Sequence, residues 1–318
     1  MMETSETVKP EAFALNIFGA GKDGDNIWGI VPDCNPQVIY YNVDMISSLG
    51  EKSPQEYYDE GNWDWNAFAT IAEKAAEAGK HGFVFDSTSW GGNTLYLGQA
   101  GEGIIFNADG TKVDLDIPEK AEGIKFMYEL SQAKAVTSTV QLPKGQDGTS
   151  LFTSQQTAMT MSGRWSVPVF KDITEFNWDI VPLPKTNSGE EVKSPVAIAY
   201  VAMNKDTKNP EQAFVFMEEF LNKDGQLYRL KDGGNAMPSL IDPDLATIAE
   251  DGIVGHGEYF TQLRNDGLGV PIGVQYSPEA SQVITDIFGK MYLGKIDADT
   301  CIKEAVEKGN AELAKGGN

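Results

Sequence analysis

The run Thr157-Ala-Met-Thr-Met-Ser-Gly-Arg-Trp165 starts as an apolar, β-branched strand candidate, Thr157–Met161, and breaks into a glycine turn that carries a tryptophan. In open α/β sheets, ligand groups sit where strand ends lead into such turns. On both sides of it, short runs rich in β-branched and aromatic residues read as strands: Ile27–Val31, Gln37–Tyr41, Gly82–Asp86, Trp178–Leu183 and Val196–Met203. Val113, Leu115 and Ile117 alternate with polar residues behind Asn107-Ala-Asp-Gly-Thr111, a hairpin turn and its second strand.

Helical stretches separate these runs. Ile117-Pro118-Glu119, Asn209-Pro210-Glu211 and Ser277-Pro278-Glu279 each place proline at a first helical position with an acid behind it. Proline lacks only an N–H that needs no partner there, and the acid faces the positive end of the helix dipole. Ala213, Phe214, Met217, Phe220 and Leu221 follow helical spacing, as do Val283, Ile284, Ile287, Phe288 and Met291. Trp65, Phe68, Ile71, Ala72, Ala75 and Ala76 form a third stripe, closed by Gly79. A last amphipathic helix spans about 297–313. Strands and helices in alternation predict an α/β fold. Polar, glycine-rich breaks fall at 143–150, 185–194, 231–239 and 264–277, with no internal repeat.

The 318 residues suit two domains or one large one, and 41% hydrophobic residues supply an ample core. With 25 Lys+Arg against 47 Asp+Glu, the net charge is −22. That balance argues against nucleic acid and anionic membrane as partners and favours a neutral or cationic ligand. The longest apolar run, Val196–Met203, falls far short of the ~20 residues of a membrane span. Met1–Phe13 is acidic and polar rather than a basic, apolar export signal. Cys34 and Cys301 form no CxxC pair; they read as two buried or half-buried thiols, with one long-range disulfide left open.

Chemical motifs are sparse. Gly19-Ala-Gly21-Lys-Asp-Gly24 matches GxGxxG, but Asp25–Ile30 behind it reads as a turn entering a strand, where a dinucleotide site needs a helix. An EF-hand loop counted from Asp23 ends on Cys34 instead of glutamate. With His81 and His256 alone, no histidine-rich metal site forms, and no metal or cofactor is expected. Neither GxSxG nor a P-loop occurs. Acidic pairs for glycoside chemistry are numerous but mostly solvated surface.

Aromatic residues carry more information. Trp28, Trp90, Trp165, Tyr200 and Tyr276 stand among glycine, serine, asparagine or aspartate. A flat apolar face beside hydrogen-bonding groups suits a sugar ring, which has apolar C–H faces and a rim of hydroxyls. Trp63 and Trp65, at the start of an amphipathic helix, read as core instead.

Three stretches in this order resemble one family. Trp28-Gly-Ile-Val-Pro32 followed by Val38-Ile-Tyr-Tyr-Asn42 looks like its "YGIP … lyYN" crossover. Thr157–Trp165 looks like its "aAM.i.GpW" segment. Trp178–Pro184, Val196–Met203 and Asn209–Ala213 look like its later strand, hinge and helix. The family is the extracellular solute-binding proteins of ABC importers, in the branch of maltose- and oligosaccharide-binding proteins, and the resemblance runs from about residue 25 to the end. It implies two α/β lobes of type II periplasmic-binding-protein topology, joined by hinge strands at 37–42 and 196–203, with ligand held between the lobes. The crossover comes early, so the N-terminal lobe is expected to be incomplete. Residues 1–36 and 203–236 are expected as its remnant, and 37–202 and 237–318 as the C-terminal lobe.

The resemblance also implies a site. Trp165 matches a tryptophan that often stacks on sugar. Asp33, Cys34 and Asn35 match a loop that supplies polar contacts. Arg164 stands where proline is common and either pairs with a ligand group or caps the turn. Trp90, Tyr200 and Tyr276 are expected near the ligand from their positions. The expected function is carbohydrate binding without chemistry, as the extracellular or periplasmic, lipid-anchored receptor of an ABC permease that closes its hinge over the ligand. The alternatives are a sugar-active hydrolase and a receptor for a cationic solute such as a polyamine.

Overall fold

The computed structural model describes all residues except 1–4, 6–7, 19–20, 24–25, 90, 94–95, 97–103, 108, 233, 254, 270–276 and 317–318. Its strands in chain order are β1 (Asp33–Pro36), β2 (Val38–Asn42), β3 (His81–Phe85), β4 (Val136–Ser138), β5 (Thr157–Ser162), β6 (Trp178–Val181), β7 (Val196–Ile198) and β8 (Met237–Pro238), beside the short ladder of Lys22–Asp23 on Asn26–Ile27. The longer helices are α1 (Trp65–Glu77), α2 (Pro118–Gln132), α3 (Pro210–Leu221), α4 (Lys223–Leu230), α5 (Pro243–Glu250), α6 (Glu258–Asp266), α7 (Pro278–Tyr292) and α8 (Ala298–Gly316).

The prolines at 118, 210 and 278 each open a helix, as the sequence predicts. Gly79 follows α1 at φ +76, a conformation that costs glycine little. Phe106 bridges Val113 and the Asn107 N–H donates to the Lys112 carbonyl at 2.8 Å, the closure of the expected hairpin. Ile27–Val31 is less regular than expected: beyond Ile27, only Ile30 pairs, through a single bridge to Val201. The Asn26–Ile27 strand is followed by no helix, against a dinucleotide site there; Gly19 and Gly24 lie outside the described residues.

The chain forms two compact units. One comprises 38–162, 173–194 and 271–318. Its five-stranded sheet has the order β4-β3-β5-β2-β6. Strand β3 runs parallel to β4 and β5, whereas β2 runs antiparallel to β5 and β6. Ile39 stands opposite both Met161 and Val181, and Phe83 opposite both Val136 and Met159. Burial on both faces explains why these strands read as continuous apolar runs rather than alternating ones. Aromatic rings fill the interior: Phe68 meets Phe83 edge-on at 5.0 Å, and Phe85 meets Tyr292 at 5.3 Å.

The other unit comprises 1–37, 163–172 and 195–270. Here β1 lies between β8 and β7 in a three-stranded antiparallel sheet. Val8, Phe13, Ile30, Met217, Leu221 and Leu245 belong to its core. Buried Gln226 on α4 saturates its amide: Nε2 donates to the Leu221 carbonyl and Ser239 Oγ, and Oε1 accepts from the Ser239 N–H at 2.9 Å. Residues 237–270 cluster with 1–37, where the sequence reading groups them with the C-terminal lobe. The cause is local. Met237 and Pro238 pair with Cys34 and Asp33, and Arg264 on α6 donates to the Pro238 and Leu240 carbonyls at 3.1 Å.

Cys34 and Cys301 are free and buried. Burial pushes both thiols up from 9.0 to about 12. The unfolded chain would then lose thiol protons first, so the thiols withdraw stability as pH rises from about 9 toward 12. Native protein at pH 8 should therefore leave both cysteines unmodified by a disulfide reagent and release two thiols once denatured. Prompt native modification of either would contradict this burial.

Candidate functional site

Six of the eight site residues expected from the sequence fall in the unit of 1–37, 163–172 and 195–270. Trp90 and Tyr276, the other two, lie outside the described residues. The six behave differently from one another.

Trp165 is 41% exposed. It sits in a single 3-10 turn, Arg164–Ser166, between β5 and a short helix at Val167–Phe170. Its indole folds back over Gly163: a Cβ built there would lie 2.4 Å from Cζ3 and 2.6 Å from Cε3. The space above Gly163 is thus occupied by the tryptophan itself. Tyr200 is 44% exposed and packs on Gly29, whose built Cβ would stand 3.3 Å from the tyrosine Cδ1. Trp28, next to Gly29, is 68% exposed and its main-chain N–H donates to the Gly21 carbonyl at 2.8 Å. A water-facing tryptophan with so little of its ring covered contributes little to folding. Trp63 and Trp65, by contrast, are core: the Trp63 Nε1 donates to the Pro182 carbonyl at 2.8 Å, and Trp65 stacks on Phe126 at 4.7 Å.

Arg164 and Cys34 are corrections. The Arg164 side chain is fully buried and has no surface to offer a ligand. Its Nη2 donates to the Ile248 carbonyl and, at 3.0 Å, to that of Asp251. Those carbonyls close the C-terminal end of α5, where the helix dipole is negative, so the guanidinium acts as a cap. Cys34 points its Sγ toward the Pro238 carbonyl, 3.9 Å away, inside the unit. The expected ligand loop of Asp33, Cys34 and Asn35 is instead a central strand, paired on both edges. Strand alternation buries Cys34 and turns its neighbours the other way.

Asp33 is committed to Arg229, whose Nη1 approaches the carboxylate at 2.8 Å while Nη2 donates to the Pro32 carbonyl at 3.1 Å. The same guanidinium stacks on Phe220, 4.0 Å from the ring centroid. Asn35 is half-buried, and its Oδ1 has no hydrogen-bond partner among the described residues. It is the polar strand group with an acceptor left over. Arg229 went unnoticed in the sequence, because an arginine in the last turn of a helix reads as solvated; only the pairing of distant strands brings Asp33 beneath it.

Among the described residues, no cluster of three or more His, Cys, Asp or Glu is disposed to hold a metal. A cavity of about 500 Å³ in the other unit, lined by Trp65, Pro118, Glu122, Phe126 and Glu129 among others, includes none of the expected ligand residues. No described helix is long and apolar enough to cross a membrane. Among the residues singled out from the sequence, Trp165, Tyr200 and Trp28 are exposed, whereas the Asn35 acceptor is buried.

The sequence profile of a family described as bacterial extracellular solute-binding protein matches residues 3–251. A protein of Brucella abortus (strain 2308), named only as a binding protein, is 22% identical over 294 residues, 91% of this chain and 68% of the relative. An ABC substrate-binding protein from Listeria monocytogenes, solved in complex with cycloalternan, is similar at a TM-score of 0.83 and 21% identity, over 98% of this chain and 78% of that one. A solute-binding protein of an ABC transporter from Thermotoga lettingae, solved with α-D-tagatose, gives 0.78 and 18%, over 98% and 78%. The GacH receptor of Streptomyces glaucescens, solved unliganded and with acarbose, gives 0.78 and 14%, over 96% and 76%. These likenesses identify the α/β fold as that of periplasmic binding proteins. With its profile matched across most of its length, the chain belongs to the bacterial extracellular solute-binding protein family.

Proposed function

We propose that this chain is the carbohydrate-binding subunit of an ABC importer and that it binds its solute without chemistry. One observation carries the reading: Trp165 presents a broad, half-open aromatic face from a rigid turn, in a fold whose solved neighbours hold cycloalternan, tagatose and acarbose. Trp28 and Tyr200 supply further exposed rings. Stacking gives affinity, and polar groups around the rings select among hydroxyl patterns. Family membership supports an extracellular or periplasmic location. A membrane permease as partner and a lipid anchor belong to the same reading.

For the architecture, we take the unit of 38–162, 173–194 and 271–318 as the C-terminal lobe. The other unit is then an N-terminal lobe that further chain completes. Two observations support this. Of the eleven large hydrophobic residues exposed among the described ones, ten lie in that unit, including Val215 and Phe216 on α3 and Leu227 and Tyr228 on α4. Phe216 and Tyr228 are 66% and 79% exposed. Single exposed apolar residues are ordinary, but several on successive helices mark a surface that expects cover. The Listeria neighbour is also longer, since this chain covers 78% of it.

Two outcomes follow. The 318-residue chain should bind a hydrophobic-surface dye and self-associate on size exclusion, and Phe216→Lys with Tyr228→Lys should reduce both; a clean, dye-silent monomer would count against an uncovered face. For the site, Trp165→Ala should weaken binding of the best ligand from a panel of linear and cyclic gluco-oligosaccharides by about 1–3 kcal/mol, or about 5- to 150-fold in Kd. Its thermal stability should fall less than for a core tryptophan, whose truncation costs about 3–5 kcal/mol. Titration calorimetry beside thermal melts reads both quantities. A variant that melts far lower yet binds as the parent does, or a parent that binds spermidine and no sugar, would reject the assignment.

A further inference from the structure

We infer that Gly163 is a positioning residue: it is the seat on which the Trp165 indole lies, and the bare backbone there fixes which single face of the ring meets a ligand. The inference rests on the carbohydrate-binding reading of Trp165 and deepens it.

The glycine is not required by its backbone. Its φ of −95 and ψ of −173 are extended values open to any residue. What excludes a side chain is the ring: a Cβ would approach Trp165 Cζ3, Cε3 and Cη2 to 2.4, 2.6 and 2.8 Å, distances that real Cβ atoms do not show. The benzo half of the indole is therefore in contact with the main chain on its inner side. With 41% of the residue exposed, the outer side remains for solvent or ligand.

The turn beneath is held at two points. Arg164 binds the carbonyls of Ile248 and Asp251 at the end of α5. Gly252, at φ +79, lets the same loop approach Val167, whose Cγ1 would stand 2.9 Å from a Cβ on that glycine. A ring fixed this way has little side-chain freedom left to lose when a sugar stacks on it, which is how preorganisation raises affinity. A methyl group at 163 lifts the ring from its seat and restores that freedom, while the turn, its arginine anchor and the core stay as they are.

The test is a double-mutant cycle on the whole chain, with the tightest-binding gluco-oligosaccharide of the panel as probe. Gly163→Ala should weaken its binding about tenfold with little change in melting temperature, and should alter the near-ultraviolet circular dichroism band that Trp165→Ala abolishes. In a Trp165→Ala background, Gly163→Ala should have no further effect on affinity. Parent-like binding by Gly163→Ala, or two effects that add, overturns the inference. So does a Gly163→Ala chain that fails to fold, because a seat that matters only to the indole leaves the fold intact. If Trp165→Ala binds sugar like the parent, the carbohydrate site assignment fails instead. The dichroism band then still decides the seat, which stands if Gly163→Ala changes that band and falls if it does not.

Discussion

The strand Asp33–Pro36 holds one unit together, because among the described residues it is the only strand there with a neighbour on each edge. Met237–Pro238 and Val196–Ile198 are far from it in sequence and far from each other, yet each pairs with it. Its alternation then distributes the chemistry. Cys34 goes inward against the Pro238 carbonyl, and Asp33 goes to Arg229 on α4. Because Asp33 fixes that guanidinium, the guanidinium can cover Phe220 and tie α3 and α4 to the sheet. A partly buried ion pair of this kind adds little net stability, since desolvation offsets much of the attraction.

Buried cations recur, and they share a solution. Arg164, Arg264 and Lys120 are all nearly or fully buried in a chain of net charge −22. Each directs donors at main-chain carbonyls: Arg164 at Ile248 and Asp251, Arg264 at Pro238 and Leu240, Lys120 at Phe106 beside its carboxylate partner Asp114. Burial lowers the pKa of Arg264 and of Lys120, and for Lys120 the contact with Asp114 works against it. Carbonyls at helix ends and strand ends serve these sites, because their lone pairs need partners where water is absent, and Lys120 has Asp114 in addition.

Much of the fold was legible because it rests on local rules. Proline at 118, 210 and 278 starts helices for a reason that involves only neighbouring atoms. The apolar runs at 38–42 and 157–162 are sheet interior because a strand buried on both faces cannot alternate. The extent of the units was less legible. Nothing near Met237 announces that it pairs with Cys34, since that pairing is a property of register between remote segments. The same limit explains the loop that became a strand. Asp33-Cys34-Asn35-Pro36 has the composition of a turn, and only its two partners make it a strand.

The site shows where composition stops being informative. Arg164 and Trp165 are adjacent, polar beside aromatic, and both looked suited to a ligand. The structure sends one to the interior and the other to the surface, because a 3-10 turn points successive side chains about a third of a revolution apart. The buried one makes the exposed one useful: without a fixed turn, an indole at a strand end is a mobile side chain whose ordering would oppose binding. Gly163 completes the arrangement through what it lacks. The missing Cβ leaves bare main chain as the contact surface for the ring, which packs where a side chain at 163 would stand.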